Sequence, residues 1–171
     1  MEYFSITSEN SSVHWPYFDT EDKVVLDLGC GRWDVQNHDE LSPIFFSKTA
    51  KHVIGVDSDP KEVEYFKETA TPPEKFTFLH LSITSPSTVS ELIKKYSVNA
   101  VKCDIEGYEY SLLGLTEEDF RNINEFALEY HTPELREAFL NKYPEWGFNL
   151  FGKGVFTSVG NDNMGVLLFK K

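Results

Sequence analysis

Three stretches of this 171-residue chain carry side chains that could do chemistry together. The first, Lys102-Cys103-Asp104-Ile105-Glu106-Gly107-Tyr108-Glu109, crowds three carboxylates at what reads as a strand end. If the backbone stays extended through Ile105, two-residue alternation puts Asp104 and Glu106 on one face, and Gly107 permits a sharp bend toward Glu109. Carboxylates held that close repel and raise one another's pKa unless a cation sits among them. The second stretch, Glu129-Tyr130-His131, puts a carboxylate and an imidazole on one strand face, and an imidazole there could take a proton from a hydroxyl. The third, Asp27-Leu28-Gly29-Cys30-Gly31, ends an apolar run in a turn whose glycines let a ligand touch main chain. The plain structural readings are a solvated charge run opening a helix for the first and a histidine capping a strand before Pro133 for the second.

These residues need a scaffold that brings their ends to one edge, and the remaining pattern supplies it. Residues 24–28, 52–57, 76–82, 99–104 and 124–131 read as strands. They alternate with helices over 42–50, from Asp59-Pro60 to the stop at Pro72-Pro73, over 87–96, from about 110, and over 133–143. Short strands at 148–151 and 166–169 lie too close in sequence to hold a crossover helix, which makes that pair antiparallel. The expected fold is α/β, a doubly wound and mostly parallel sheet with an antiparallel C-terminal hairpin. Residues 1–22 read as an arm or lid, and 23–171 as a single domain.

Length allows a core that buries roughly 70% of the unfolded surface. The 16 basic and 28 acidic residues give a net charge of −12, which opposes approach to phosphate backbones and anionic membranes. The expected partners are therefore a small molecule, with no nucleic acid and no membrane, and a cationic ligand is favoured. With 14 Phe, 8 Tyr and 3 Trp the acidic excess does not mean disorder. The two cysteines, Cys30 and Cys103, have no zinc-site spacing and read as reduced thiols of a cytoplasmic protein without an export signal. Nothing in the chain speaks to oligomeric state.

Ligands that suit such a crevice carry a ribose. Asp57, ending the second strand with Ser58 beside it, can accept both ribose hydroxyls, although it could instead only cap the turn before Pro60. A pyrophosphate needs a helix N-terminus close to the glycine turn, yet Asp34 stands there. Acids attract the sulfonium and ammonium of S-adenosylmethionine, so the loop favours that methyl donor over a dinucleotide. Ser82 and Ile83, after the third strand, are candidates for the adenine, with Leu81 and Ile83 as core residues the alternative.

At this level the chain resembles the FkbM-like methyltransferases, class I S-adenosylmethionine-dependent enzymes that mostly methylate hydroxyl oxygens of sugars and natural products. The matching pieces are Asp27-Leu28-Gly29, Asp57, the Asp-Ile-Glu-Gly-Tyr-Glu core of residues 104–109, and Glu129-Tyr130-His131. The resemblance implies a Rossmann-like sheet of class I methyltransferase type. It also implies cofactor contacts from Asp27, Gly29 and Asp57, and an active edge near Asp104 and Glu106. The chain departs from the family pattern after the first glycine, with Cys30-Gly31 and Asp34, and it is short for the family.

The full expected cofactor set is Asp27, Gly29, Cys30, Gly31, Asp57, Ser58, Ser82, Ile83 and Asp104, and the catalytic set is Asp104, Glu106 and His131. His131 is the expected general base, a metal-free arrangement being preferred to a divalent ion in the same cluster. Trp33, His38 and Tyr108 are candidates to shape an acceptor pocket for a sugar or small molecule. Two other functions remain open: a module that binds S-adenosylmethionine or a nucleotide without catalysis, and an NAD-dependent oxidoreductase.

Overall fold

The computed structural model describes residues 1–7, 13–32, 37–156 and 163–171. Eight strands form one sheet: β1 (Glu2–Ile6), β2 (Val24–Leu28), β3 (His52–Asp57), β4 (Phe76–His80), β5 (Ala100–Cys103), β6 (Glu125–Tyr130), β7 (Asn149–Phe156) and β8 (Gly165–Lys170). Their spatial order is β1-β7-β8-β6-β5-β2-β3-β4. Pairing is parallel except where β8 meets β6 and β7, so the doubly wound sheet with its antiparallel terminal hairpin is as the alternation indicates. Among the described residues four α-helices accompany it: α1 (Ser42–Ser47), α2 (Pro60–Thr69), α3 (Pro86–Tyr96) and α4 (Pro133–Lys142).

Strand alternation sorts the side chains into two layers. Leu26, Ile54, Val101 and Phe126, together with Leu28, Val56, Cys103 and Leu128, join Val89 and Ile93 of α3 and Phe139 of α4 in the larger core. Val25, Val53, Ala100 and Ala127 face the other way, onto Phe46 of α1 and onto Trp15 and Phe18. Both faces of the central strands are therefore covered, as a parallel sheet requires. The helices start where the sequence offers caps. Asp59 accepts from Lys61 N at 2.8 Å and Thr132 from Leu135 N at 3.1 Å, each with proline at the first helical position.

Several boundaries differ from expectation. Residues 2–6 belong to the sheet: Phe4 and Ile6 point into the core and β1 pairs in parallel with β7. The segment after Tyr108 is a 3-10 helix over Glu109–Gly114 and not an α-helix from residue 110. Ser82 lies past the end of β4 and His131 just past β6. Residues 157–162, between β7 and β8, lie outside the described residues. Among the described residues no helix is long and apolar enough to cross a membrane.

Glu125 begins β6 at the edge of the sheet opposite the acidic strand ends, and it is 6% exposed. Burial pushes its carboxyl up to about 7, against the pull of Lys23 and with the push of Asp19. Folding thus raises this pKa above the ordinary 4.5, the native state binds the proton more tightly, and stability falls as pH climbs through that window. Glu125→Gln should raise the melting temperature at pH 8 by about 2–8 °C, a gain of roughly 1–3 kcal/mol, and change it little at pH 4.5. Thermal denaturation at the two pH values checks the sign.

Candidate active site

The strand order reverses between β2 and β5, with β3 and β4 on one side of β2 and β6 on the far side of β5. A crevice opens beyond the carboxyl ends of such strands at this switch point. Here it is a cleft of about 710 Å³. Of the expected residues, Gly29, Gly31, Asp57, Ser58, Ser82, Ile83, Asp104 and Glu106 all line it, as do Glu129 and Tyr108.

The turn after β2 has no room for a side chain. Gly29 has φ +75°, and a Cβ on it would stand 1.5 Å from the carbonyl oxygen of Asp104. The β2 and β5 exits therefore touch backbone to backbone. Under this contact lies Lys102, directly across from Asp27 in the strand register. Its ammonium donates to Gly29 O at 2.7 Å and pairs with Asp27 Oδ1 at 3.1 Å, with Asp104 Oδ2 at 3.9 Å. Burial works against the charge on Lys102, but Asp27 and Asp104 outweigh it and raise its pKa.

Asp27 accordingly does not line the cleft, where the sequence reading has it contact the cofactor. It is fully buried, accepts from Ser42 Oγ at 2.6 Å and acts through Lys102 on the turn. Cys30 also points away: its thiol is buried with Leu41, Ile44 and Phe66, and burial followed by Asp27 and Asp57 raises its pKa. Both cysteines are free.

Asp57 faces the turn from β3. Its Oδ2 accepts from Gly31 N at 2.8 Å and its Oδ1 from Asp59 N at 2.8 Å, so it holds the loop while lining the cleft. A carboxylate has about four acceptor positions, which leaves capacity for ribose hydroxyls. Glu62 of α2 grips Arg32 by two bonds of 2.9 Å to Nε and Nη2 and a third of 2.9 Å to its backbone N–H, and the guanidinium lies 4.0 Å over the Tyr65 ring. His38 bonds the Tyr65 hydroxyl at 3.0 Å and does not line the cleft, so it drops out as an acceptor-pocket residue. Trp33 and Asp34 lie outside the described residues.

At the acidic edge the chain is not extended through Glu106, which has φ +53°, and Gly107 follows at +92°. Glu109 turns inward and is fully buried, accepting from Ile105 N at 3.1 Å and Gly107 N at 3.0 Å. It closes its own loop and does not join the cleft. His131 Nδ1 is 3.0 Å from Glu109 Oε1, and Nε2 is 3.6 Å from both Glu106 Oε2 and Glu129 Oε1. Burial opposes charge on His131, but Glu109, Glu129 and Asp104 prevail and lift its pKa to about 9. That upward shift works against a neutral general base, the role the sequence reading gives it. Burial and Asp104 push Glu129 upward as well.

The overall fold recurs in solved structures. The fold is that of the class I S-adenosylmethionine-dependent methyltransferases. A protein of Pyrococcus horikoshii described as an RNA methyltransferase is 22% identical, with a TM-score of 0.60 over 93% of this chain and 79% of its own. One of Streptococcus mutans described as a methyltransferase, solved with S-adenosylhomocysteine, gives 0.62 at 13% identity over 95% and 96%. Fibrillarin of Aeropyrum pernix, solved with natively bound S-adenosylmethionine, gives 0.56 at 9% identity over 88% and 67%. No family model matches the sequence, and no curated protein does either. The exclusion of nucleic acid does not stand. The fold is shared with a protein described as an RNA methyltransferase, which is the finding that overturns it.

Four contributors escaped the sequence reading. Lys102 could have been suspected, because a lysine inside an apolar strand needs a buried partner. Glu62 and Arg32 meet only through the tertiary fold. His14, buried with Nδ1 free of hydrogen bonds, lines the cleft with Trp15, and burial followed by Lys102 holds its pKa down to about 3. Removing one partner of the central pair leaves a buried charge unmatched. Lys102→Met should cost about 3–5 kcal/mol in denaturant unfolding, and adding Asp27→Asn should recover more than half of that.

Proposed function

We propose that this protein transfers a methyl group from S-adenosylmethionine to a hydroxyl acceptor such as a sugar or small molecule, as the FkbM-like resemblance implies. The observation that carries the reading is the charge of the cleft. Asp57, Asp59, Glu62, Asp104, Glu106 and Glu129 line it, and of the described basic residues only Lys102 and Arg32 do. Both of these are engaged by carboxylates. A pyrophosphate would meet these acids unscreened, whereas a sulfonium and an ammonium are drawn to them. This favours the methyl donor over NAD.

In this reading Asp57 takes the ribose hydroxyls, Ser82 and Ile83 flank the adenine, and the Gly29 to Gly31 turn with Ser58 and Asp104 receives the rest of the donor. His14 and Trp15 line the cleft from the N-terminal segment, whose strand β1 is part of the same sheet, so the domain is not confined to residues 23–171. Methyl transfer is an in-line displacement, so most of the acceleration comes from alignment of acceptor and methyl group. Asp104 and Glu106 are the carboxylates open to an acceptor hydroxyl, with His131 Nε2 3.6 Å from Glu106 Oε2. Tyr108, 49% exposed at the lip, offers a ring against which an acceptor can pack.

S-adenosylhomocysteine should raise the melting temperature in a concentration-dependent way, and NAD should not. Asp57→Ala should weaken binding of S-adenosylhomocysteine at least about tenfold in calorimetry, since a lost pair of charge-assisted hydrogen bonds is worth more than 1.4 kcal/mol. Methyl release assayed over sugars, small hydroxyl compounds and RNA then finds the acceptor class. Stabilisation by NAD alone would overturn the proposal. Product binding with no turnover on any acceptor would reduce the protein to a binding module.

A further inference from the structure

Two strand exits far apart in sequence deliver three donor atoms to one place. Asp104 and Glu106 follow β5 and His131 follows β6, and one ligand atom of each lies within 4.8 Å of the other two. Both ring nitrogens of His131 and Asp104 Oδ1 are buried and make no hydrogen bond. Nε2 nonetheless stands 3.6 Å from Glu106 Oε2 and 3.6 Å from Glu129 Oε1. These separations exceed a hydrogen bond. Two donors each about 2.1–2.2 Å from one ion, with an angle of roughly 90–110° between them, lie about 3.0–3.6 Å apart. The spacing around Nε2 is at the upper end of what a shared ion spans.

The other ring nitrogen supports the same reading. Nδ1 is 3.0 Å from Glu109 Oε1, and Glu109 is fully buried and itself held by two backbone N–H groups. A carboxylate behind an imidazole, with the far nitrogen left facing other acids, is the arrangement that orients a metal-ligating histidine. Glu109 is therefore a positioning residue, and its burial explains why it does not join the cleft. Lys102, the nearest other cation, is taken up by Asp27 and Gly29 and reaches Asp104 only at 3.9 Å, through Oδ2.

We propose that Asp104, Glu106 and His131 bind one divalent cation at the lip of the cleft, with Glu129 placed to add a fourth donor. Carboxylate oxygens with one imidazole and no thiol suit Mn²⁺ or a similar ion over soft metals. The ion's position beside the cleft would let it hold an acceptor hydroxyl next to the donor, and this last role rests on the methyltransferase reading.

Mn²⁺ titrated into the full chain, followed by calorimetry and by loss of the free-ion electron paramagnetic resonance signal, should show one site. Asp104→Asn and Glu106→Gln should each weaken it at least about tenfold, and Glu109→Gln should weaken it about 10–100-fold as the support of His131 is lost. Glu106 has a side chain 60% exposed, so its variant keeps the test valid where a buried substitution unfolds the protein. No saturable Mn²⁺ binding, or a site indifferent to both ligand variants, would overturn the inference. S-adenosylhomocysteine titrated in parallel separates the two claims. Its binding without Mn²⁺ removes the metal site alone, and Mn²⁺ binding without it keeps the site and removes its link to methyl transfer.

Discussion

The buried ammonium of Lys102 holds the centre of this molecule together. It joins three groups that would otherwise repel or hang unsatisfied: the Asp27 carboxylate on β2, the carbonyl of Gly29 in the turn, and the Asp104 carboxylate beyond β5. Parallel pairing of β2 and β5 sets Asp27 across from Lys102, and Gly29 then abuts the Asp104 backbone with no space for a Cβ. A buried ion pair of this kind contributes little net stability compared with an apolar pair of the same shape, but it tolerates no loss of one partner. What it supplies is position: the turn that faces the cleft is tied to the strand that carries the acidic edge.

From that constraint the electrostatics of the cleft follow. With Lys102 and Arg32 neutralised by Asp27 and Glu62, the carboxylates of Asp57, Asp104, Glu106 and Glu129 are left to face the opening. His131 answers by holding a proton well above its ordinary pH range, and Glu129 is pushed toward its neutral form.

Much of the architecture was legible because its signals are local. Apolar runs stopped by glycine or an acid marked three of the strands, and the Asp59-Pro60 cap marked a helix start. β1 was missed because only Phe4 and Ile6 carry its alternation, and its pairing with β7 is remote in sequence. Among site residues, those at strand exits reached the cleft because an open parallel sheet gathers its carboxyl ends there. Asp27 failed for the same periodicity that made it attractive: being inside β2, it pairs across to β5 before the chain reaches the opening. Glu109 and His131 were placed near the edge correctly, but their mutual contact, and with it the charge on the imidazole, depends on how the loop after Gly107 folds back. Spacing alone cannot show that.

The most direct measurement is a crystal structure of the protein with S-adenosylhomocysteine. The account predicts the adenosyl group in the cleft between the β2 turn and the β3 exit, its ribose hydroxyls within hydrogen-bond distance of the Asp57 carboxylate and its amino-acid end near Gly29 and Asp104. A ligand seated elsewhere, or one in the cleft with Asp57 turned away from the ribose, would contradict it.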